Sequence, residues 1–194
     1  MYYYSTRDKK LKLTSAEAIK KGLSEEGGLF VPSELPKITS KDIDDLVGKS
    51  YIERANYILK LFLTDFTSAE LSKCVSGAYG GGKFSSEKVA PLVKIGDEEY
   101  ILELWHGPTC AFKDMALQIL PYFMTTAMKK TGEDKEIVIL VATSGDTGKA
   151  ALEGFKDVDG TRIIVFYPED GVSDIQKLQM VTQEGKNVGV YGID

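Results

Sequence analysis

Lys113 stands in the segment 103–114 at a position that suits covalent chemistry. It follows a predicted strand and lies at the start of a predicted helix, where the positive end of the helix dipole favours the neutral form of an amine. A neutral lysine amine can form an imine with a carbonyl compound. A single lysine in a loop is more often solvated surface, so composition alone leaves both interpretations open.

The segment 142–148 combines glycines, small hydroxyls and one carboxylate where a predicted strand passes into a predicted helix. Amides at a helix start and the helix dipole attract anions, and open parallel sheets bind ligands at the carboxyl ends of their strands. The segment therefore predicts an anion pocket. A Ser/Thr helix cap with glycines for tight turning explains the same residues, and Asp146 would repel an anion unless its carboxylate faces another group.

The segment 77–83 satisfies the first part of a phosphate-loop pattern, in which backbone amides and a lysine hold a nucleotide. The pattern fails at Phe84, which stands where a magnesium-binding Ser or Thr is required, and a helix rather than a strand is predicted before the loop. We interpret residues 80–82 as a flexible joint between two modules. A non-catalytic binding module that takes a nucleotide here is the alternative from a different class of function.

Composition restricts the classes of function further. The 194 residues are 43% hydrophobic and carry 24 Lys and Arg against 29 Asp and Glu, so a net charge of -5 argues against nucleic acid as a partner. No apolar run approaches the roughly 18 residues of a membrane span, and the N-terminus lacks an apolar signal core, so we expect no membrane partner and a cytoplasmic location. Cys74, Cys110 and the single histidine, His106, argue against a disulfide framework, a metal site and a catalytic triad.

Hydrophobic periodicity predicts an α/β fold with a mostly helical N-terminal domain, residues 1–90, and a domain of alternating strands and helices, residues 91–194. In the first domain, helices are predicted at 14–23, 40–47, 51–63 and 68–75, with an extended piece at 29–32. The second domain begins with a hairpin, 92–95 and 100–104, and a helix, 113–130, that Pro121 should kink or break. Strands at 137–142, 162–167 and 188–191 then alternate with helices at 147–155 and 173–183. This order predicts a parallel sheet covered on both faces, with 137–142 as a buried strand.

Four motifs together resemble the threonine synthase family: GGLFVP at 27–32, HGPT at 106–109, FKD at 112–114 and ATSGDTG at 142–148. The resemblance covers essentially the whole chain. It implies a helical N-terminal region followed by part of the parallel α/β sheet of a fold-type II pyridoxal-phosphate enzyme. It also implies pyridoxal 5'-phosphate as the cofactor, an electron sink, and the conversion of O-phospho-L-homoserine and water into L-threonine and phosphate in threonine biosynthesis.

The same resemblance implies roles for individual residues. Lys113 matches the family's Schiff-base lysine, which also carries protons at the substrate carbons. Asp146 falls near the 3'-oxygen of the cofactor, which would resolve its apparent conflict with an anion pocket. The substrate-binding residues would be Thr143, Ser144, Gly145 and Thr147. Two further motif residues, His106 and Thr109, are expected to brace the loop rather than to act in catalysis.

Fold-type II enzymes hold the cofactor phosphate with a glycine-rich loop that we do not find after Asp146. The chain stops directly after a predicted strand, so we expect an N-terminal fragment that is inactive by itself and self-associates through an exposed sheet edge. The enzymatic alternative is another fold-type II enzyme, such as a serine or threonine dehydratase. The GGLFVP segment argues against that alternative.

Overall fold

The computed structural model describes residues 1–143 and 145–194, which form two compact units. The first unit comprises Met1–Gly77 and Tyr122–Asp134, and the second comprises Ala78–Pro121 and Lys135–Asp194. The chain therefore passes from the first unit to the second, returns, and passes to the second again. Among the described residues, no helix has the length and apolarity that crossing a bilayer requires.

The first half of the chain holds three short strands and four helices: β1 Tyr3–Ser5, β2 Lys12–Leu13, α1 Ser15–Lys21, β3 Phe30–Pro32, α2 Ser40–Leu46, α3 Tyr51–Phe62 and α4 Ser68–Tyr79. All four predicted helices are present. The capping signal before α1 is also confirmed, because the Thr14 hydroxyl accepts the Glu17 amide while the Glu17 carboxylate accepts the Thr14 amide. Equivalent reciprocal caps begin α2 at Thr39 and α3 at Ser50.

A three-stranded antiparallel sheet in the first unit was not predicted from the sequence. Its strands lie in the order β2-β1-β3, and Tyr4 of the central strand pairs with Lys12 on one side and Val31 on the other. Only β3 had a sequence signal, as the extended piece at 29–32. Strands of two and three residues are too short for a period-two pattern to show, so tertiary pairing decides their conformation.

The core of the first unit joins helices that are distant in sequence. Buried Leu71 and Ala127 pack with Phe66, whose ring meets that of Phe123 edge to face at a centroid distance of 6.1 Å. At Gly77 a Cβ atom would lie 2.4 Å from the Tyr122 ring, so only glycine permits this approach of the backbone.

The second half of the chain holds five strands and four helices in the described residues: β4 Leu92–Lys94, β5 Tyr100–Leu102, α5 Asp114–Leu117, α6 Leu120–Lys130, β6 Ile137–Ala142, α7 Asp146–Phe155, β7 Thr161–Pro168, α8 Asp174–Val181 and β8 Val188–Ile193. The strands β4 and β5 form the predicted hairpin. The strands β6, β7 and β8 form a parallel sheet in that order, as predicted. The predicted α/β fold class is therefore confirmed.

The helix predicted for 113–130 is interrupted close to Pro121, as the sequence predicted, and forms two helices, α5 and α6. The chain forms α5, leaves the helix at Gln118, and starts α6 with Pro121 in its first turn. Proline has no amide hydrogen for the Leu117 carbonyl, and a first turn is where that loss costs little. The Leu117 carbonyl instead faces α7, where a Cβ atom at Gly154 would lie 2.2 Å from its oxygen.

The parallel sheet is covered on one face, which corrects the predicted coverage of both faces. On the covered face, Ile163 and Val165 pack with Leu152, Phe155 and Met180 of α7 and α8. On the other face, alternate residues of β6 are open: Val138 is 48% exposed and Leu140 is 66% exposed. The prediction that 137–142 is a fully buried strand is therefore also wrong. An uninterrupted apolar run cannot distinguish a buried strand from one with a single covered face.

Candidate functional site

The loop before Lys113 closes on a buried carboxylate. Asp114 is 0% exposed, and its two carboxylate oxygens accept hydrogen bonds from the Thr109 amide and the Thr109 hydroxyl, each at 2.8 Å. At Gly107 a Cβ atom would lie 2.4–2.7 Å from the Asp114 side chain, so the loop can pass only as glycine. Together Gly107, Thr109 and Asp114 form what we call the carboxylate latch, which fixes the backbone next to Lys113.

Burial and hydrogen bonding act on the pKa of Asp114 in opposite directions. Burial raises the pKa of Asp114 above its ordinary value, while the hydrogen bonds from Thr109 act to lower it. The negative charge of Glu153 on α7 adds to the increase in the pKa. A hydrogen bond from the Ala111 amide also lowers the pKa of Asp114, so two residues of this short loop hold the buried carboxylate.

Lys113 lies directly before α5, as its N-cap residue, and is partly buried. Its Nζ atom lies 4.7 Å from the centroid of the Phe112 ring. Phe112 is 60% exposed, so in this chain it does not shield the amine from water. The Lys113 amine therefore lies beside an aromatic ring, on a backbone that the carboxylate latch holds.

His106 is held on both sides of its ring. The Ser85 hydroxyl lies 2.9 Å from Nδ1, and a carboxylate oxygen of Glu103 lies 2.7 Å from Nε2. The Ser85 amide also donates to the His106 carbonyl at 2.8 Å. The single histidine thus has a serine partner 21 residues away and a carboxylate partner three residues away, which the sequence argument against a triad did not foresee. Because backbone and side chain of Ser85 both bind His106, the trio fastens the loop, and a bracing role stays our prediction for His106.

The loop after β6 is closed by the hydroxyl of Thr143. This hydroxyl accepts the amides of Gly145 and Gly148, each at 3.2 Å, and the Thr143 amide donates to the Phe166 carbonyl of β7 at 3.0 Å. Two amides that could have faced an anion are therefore directed at Thr143 instead. The capping interpretation thus accounts for Thr143, although the cap residue of α7 itself is Gly145, with φ of 155°.

The first turn of α7 carries the other two predicted residues that the structure describes. Asp146 is exposed, and its carboxylate accepts a hydrogen bond at 2.9 Å from the side-chain amide of Gln176 on α8. Thr147 is partly buried in the same turn. Ser144 lies outside the described residues.

The two predicted segments, 103–114 and 142–148, lead into helices that pack against each other. Helix α5, which follows Lys113, contacts α7, which begins at Asp146, and the bare backbone of Gly154 allows this contact. Residues missed by the sequence reasoning are Gln176 and the two partners of His106, Ser85 and Glu103. No local pattern marks any of them as partners: Gln176 and Ser85 are distant in sequence from the residues they bind, and Glu103, three residues before His106, is not part of a regular helix that would predict the pairing.

The glycine-rich segment 77–83 lacks the context of a phosphate loop. It follows α4, which ends at Tyr79, so a helix stands where the motif needs a strand. Over residues 1–143 and 145–194, no group of three or more His, Cys, Asp or Glu side chains could hold a metal ion. The two cysteines in this part of the chain are free, Cys74 buried and Cys110 exposed.

The fold and the paired segments define the second unit as an α/β structure built on a parallel sheet, with its candidate site on loops and helix starts beside that sheet. Residues 2–79 match the family described as threonine synthase N terminus. Threonine synthase from Pseudomonas aeruginosa is 40% identical over 195 residues, an alignment that covers 100% of this chain and 41% of that protein. The human protein named threonine synthase-like 1 is 38% identical, over 92% of this chain and 25% of its own length.

A solved structure extends this similarity to three dimensions. The PLP-bound threonine synthase from Brucella melitensis superposes with a TM-score of 0.90 and 39% identity, covering 100% of this chain and 41% of that chain. The chain belongs to the threonine synthase family. It spans about two fifths of the length of the bacterial relatives that it matches.

Proposed function

We propose that the full-length protein is a pyridoxal 5'-phosphate enzyme that converts O-phospho-L-homoserine and water into L-threonine and phosphate. The observation that carries the proposal is the packing of α5 on α7, since Lys113 precedes the first helix and Asp146 begins the second. The Lys113 amine, which would react with the carbonyl group of the cofactor, and the polar loop before Asp146 thus belong to the same compact unit. Family membership and the PLP-bound relative from Brucella melitensis support the proposal.

The residues of this chain fit that cofactor. Lys113 offers a partly buried amine on a backbone that the carboxylate latch holds in place. Gly145 has a positive φ, a backbone conformation that glycine adopts without strain, and it forms the turn between β6 and α7. The Asp146 carboxylate is exposed, with one oxygen committed to Gln176, which leaves the group open to a polar partner.

In this proposal each residue has a distinct task. When bound, the cofactor supplies an electron sink for reactions at the neighbouring substrate carbons. Lys113 would hold the cofactor through its amine and would carry protons at the substrate carbons. Asp146 would bind the cofactor near its 3'-oxygen, as the family resemblance implies. The anionic groups of the substrate bind at the loop and helix start formed by Thr143, Ser144, Gly145 and Thr147.

The activity belongs to the full-length protein in this proposal, because the chain covers only 41% of its bacterial relative. We propose that the 194-residue chain by itself does not turn over the substrate. The open face of its sheet supports this, because apolar residues such as Leu140 have no cover there. We also propose that the chain by itself associates through an exposed edge of the sheet, β6 or β8. Sedimentation at increasing concentration should then show dimers or larger species, and a strictly monomeric chain would contradict this.

The test of the function uses full-length protein, pyridoxal phosphate and O-phospho-L-homoserine, with phosphate and threonine measured. We expect both products in equal amounts from the wild type. Lys113→Ala should lose turnover and the visible absorbance of lysine-bound cofactor together, while the matched control Lys94→Ala, on the exposed hairpin, should keep both. Absence of phosphate release by wild-type protein that binds the cofactor would contradict the proposed substrate.

A substrate panel decides between this activity and the closest enzymatic alternative. L-Serine and L-threonine should give no keto acid and ammonia if the proposal is right, because a dehydratase would release both. The panel matters because the human relative, 38% identical, is named only as threonine synthase-like. Production of keto acid at a rate above that of phosphate release would assign the dehydratase activity instead.

A further inference from the structure

Gln176 belongs to none of the sequence motifs, yet it contacts the loop after β6 at two points. Its Nε2 atom donates to the Asp146 carboxylate at 2.9 Å, across 30 residues of sequence. The same amide lies against Gly145, where a Cβ atom would come within 2.5 Å of Nε2 and 2.7 Å of Cδ. Any other residue at position 145 would therefore displace the Gln176 amide. This amide covers the turn that leads into α7.

The orientation of the Gln176 amide is set by its own helix. Its oxygen accepts the Ser173 hydroxyl at 3.0 Å and the Ser173 amide at 3.4 Å, which forms the reciprocal cap of α8. The oxygen and nitrogen ends of an amide have opposite hydrogen-bonding capacity. Because the oxygen faces two donors in Ser173, the NH₂ end must face Asp146. The Gln176 side chain thus holds the Asp146 carboxylate in a fixed position relative to α8, with its NH₂ end toward that carboxylate.

This contact is poorly suited to a purely stabilising role. Asp146 is exposed, and one hydrogen bond between exposed groups contributes little to stability. Its effect is instead to limit the rotation of a carboxylate at the start of α7, directly after the loop proposed to bind ligands. Among the described residues of the loop, the Thr143 hydroxyl provides an internal closure. Gln176 adds a link from this loop to the helix after β7.

We propose that Gln176 is a positioning residue, which orients Asp146 toward the cofactor and holds the Gly145 turn in its ligand-binding form. The inference rests on the function proposed above, in which Asp146 lies beside the 3'-oxygen of the cofactor. Gln176 itself touches neither cofactor nor substrate in this role. It acts through the carboxylate and the turn that its amide contacts.

Three variants of the full-length protein test the inference. Gln176→Glu keeps the side-chain length and the acceptor for Ser173, but places a carboxylate opposite Asp146. Gln176→Met keeps the length and removes the hydrogen bond to Asp146 together with the two from Ser173. Ser173→Ala is the matched control, because it removes the hydroxyl and weakens the helix cap, while the backbone amide at position 173 still faces the Gln176 oxygen and keeps the NH₂ end toward Asp146. The measured quantities are the Kd of pyridoxal phosphate and the pH midpoint of the visible band of lysine-bound cofactor, neither of which depends on turnover.

We expect Gln176→Glu to weaken cofactor binding about tenfold and to raise the pH midpoint by about one unit, because added negative charge favours the protonated form of the bound cofactor. Gln176→Met should weaken cofactor binding about threefold, because the bond to Asp146 that it removes is a single modest hydrogen bond. Ser173→Ala should leave the midpoint unchanged. Equal shifts in Ser173→Ala and Gln176→Glu would overturn the inference, since a cap defect would then explain both.

The inference and the proposed function fail in different ways. If the wild type shows a band that depends on Lys113, and both Gln176 variants match its Kd and midpoint, only the inference on Gln176 is overturned. If the wild type shows no band that depends on Lys113, the proposed function is overturned and the inference with it.

Discussion

The two segments proposed to form the site are held in opposite ways. The carboxylate latch before Lys113 is closed by neighbours in sequence, since Thr109 and Asp114 are five residues apart and the carboxylate is fully buried. The loop after β6 has an internal closure through Thr143 and a second contact from Gln176, 30 residues away from Asp146. The amine thus stands on a rigid local structure. The proposed ligand loop depends on the packing of another helix.

This difference has a physical basis in the demands on each segment. A residue that must form a covalent link benefits from a backbone whose position does not depend on ligands. A loop that binds anions must keep amides and hydroxyls available, so it cannot satisfy all of them internally. The comparison predicts that damage to the carboxylate latch costs stability first, whereas damage to the loop after β6 costs binding first.

Asp114→Ala should have the largest effect on stability. It leaves the buried Thr109 amide and hydroxyl without their acceptor, and each such loss costs about 1–3 kcal/mol. We expect about 2–4 kcal/mol in the free energy of local opening, measured as faster hydrogen exchange at the Thr109 amide. The exposed neighbour Ala116→Ser is a control that should leave exchange unchanged. Unaltered protection of the Thr109 amide in Asp114→Ala would show that the latch does not hold the loop.

Thr143→Val should have a smaller effect on stability. The substitution keeps the shape of the side chain but removes the acceptor for the Gly145 and Gly148 amides, a loss comparable with that of a helix cap, about 1–2 kcal/mol. Hydrogen exchange at these two amides should accelerate while that at Thr109 stays unchanged. Cofactor and phosphate binding should weaken in the same variant. If Thr143→Val loosened both segments equally, the distinction between them would be wrong.

The pH dependence of stability should show the smallest effect and reports on the carboxylate latch alone. Because burial raises the pKa of Asp114, the folded state holds its proton more tightly than the unfolded state. Its contribution to stability is therefore fully present below the ordinary aspartate pKa of about 4, and is lost as the pH rises through the raised pKa of the folded state. Asp114→Asn does not titrate.

Urea unfolding of the wild type and of Asp114→Asn between about pH 3 and pH 7 measures this contribution. The stability of the wild type relative to the variant should decline across that range. A relative stability that rises with pH would mean that the hydrogen bonds from Thr109 outweigh burial, and that the pKa of Asp114 is lowered in the folded state.

Sequence patterns predicted the elements that carry the site because those patterns are local. The apolar run before Thr143, the reciprocal cap at Thr14 and the proline at 121 each act within a few residues, and the structure confirms the strand, the helix start and the break. The motifs around Lys113 and Asp146 identified the family for the same reason. The roles of individual site residues and the domain boundary at residue 90 stay predictions.

Only the tertiary structure decided which polar side chains are hydrogen-bonded to other groups of the protein. It showed that Asp114 is buried against Thr109, that a lone His106 has both a serine and a carboxylate, and that Gln176 reaches Asp146. It also showed that one face of the parallel sheet is open to solvent, although the apolar sequence of its strands predicts burial. Some of these partners are near in sequence, as Thr109 is to Asp114, and others are distant, as Gln176 is to Asp146. The periodicity of apolar residues contains no information about which polar groups meet.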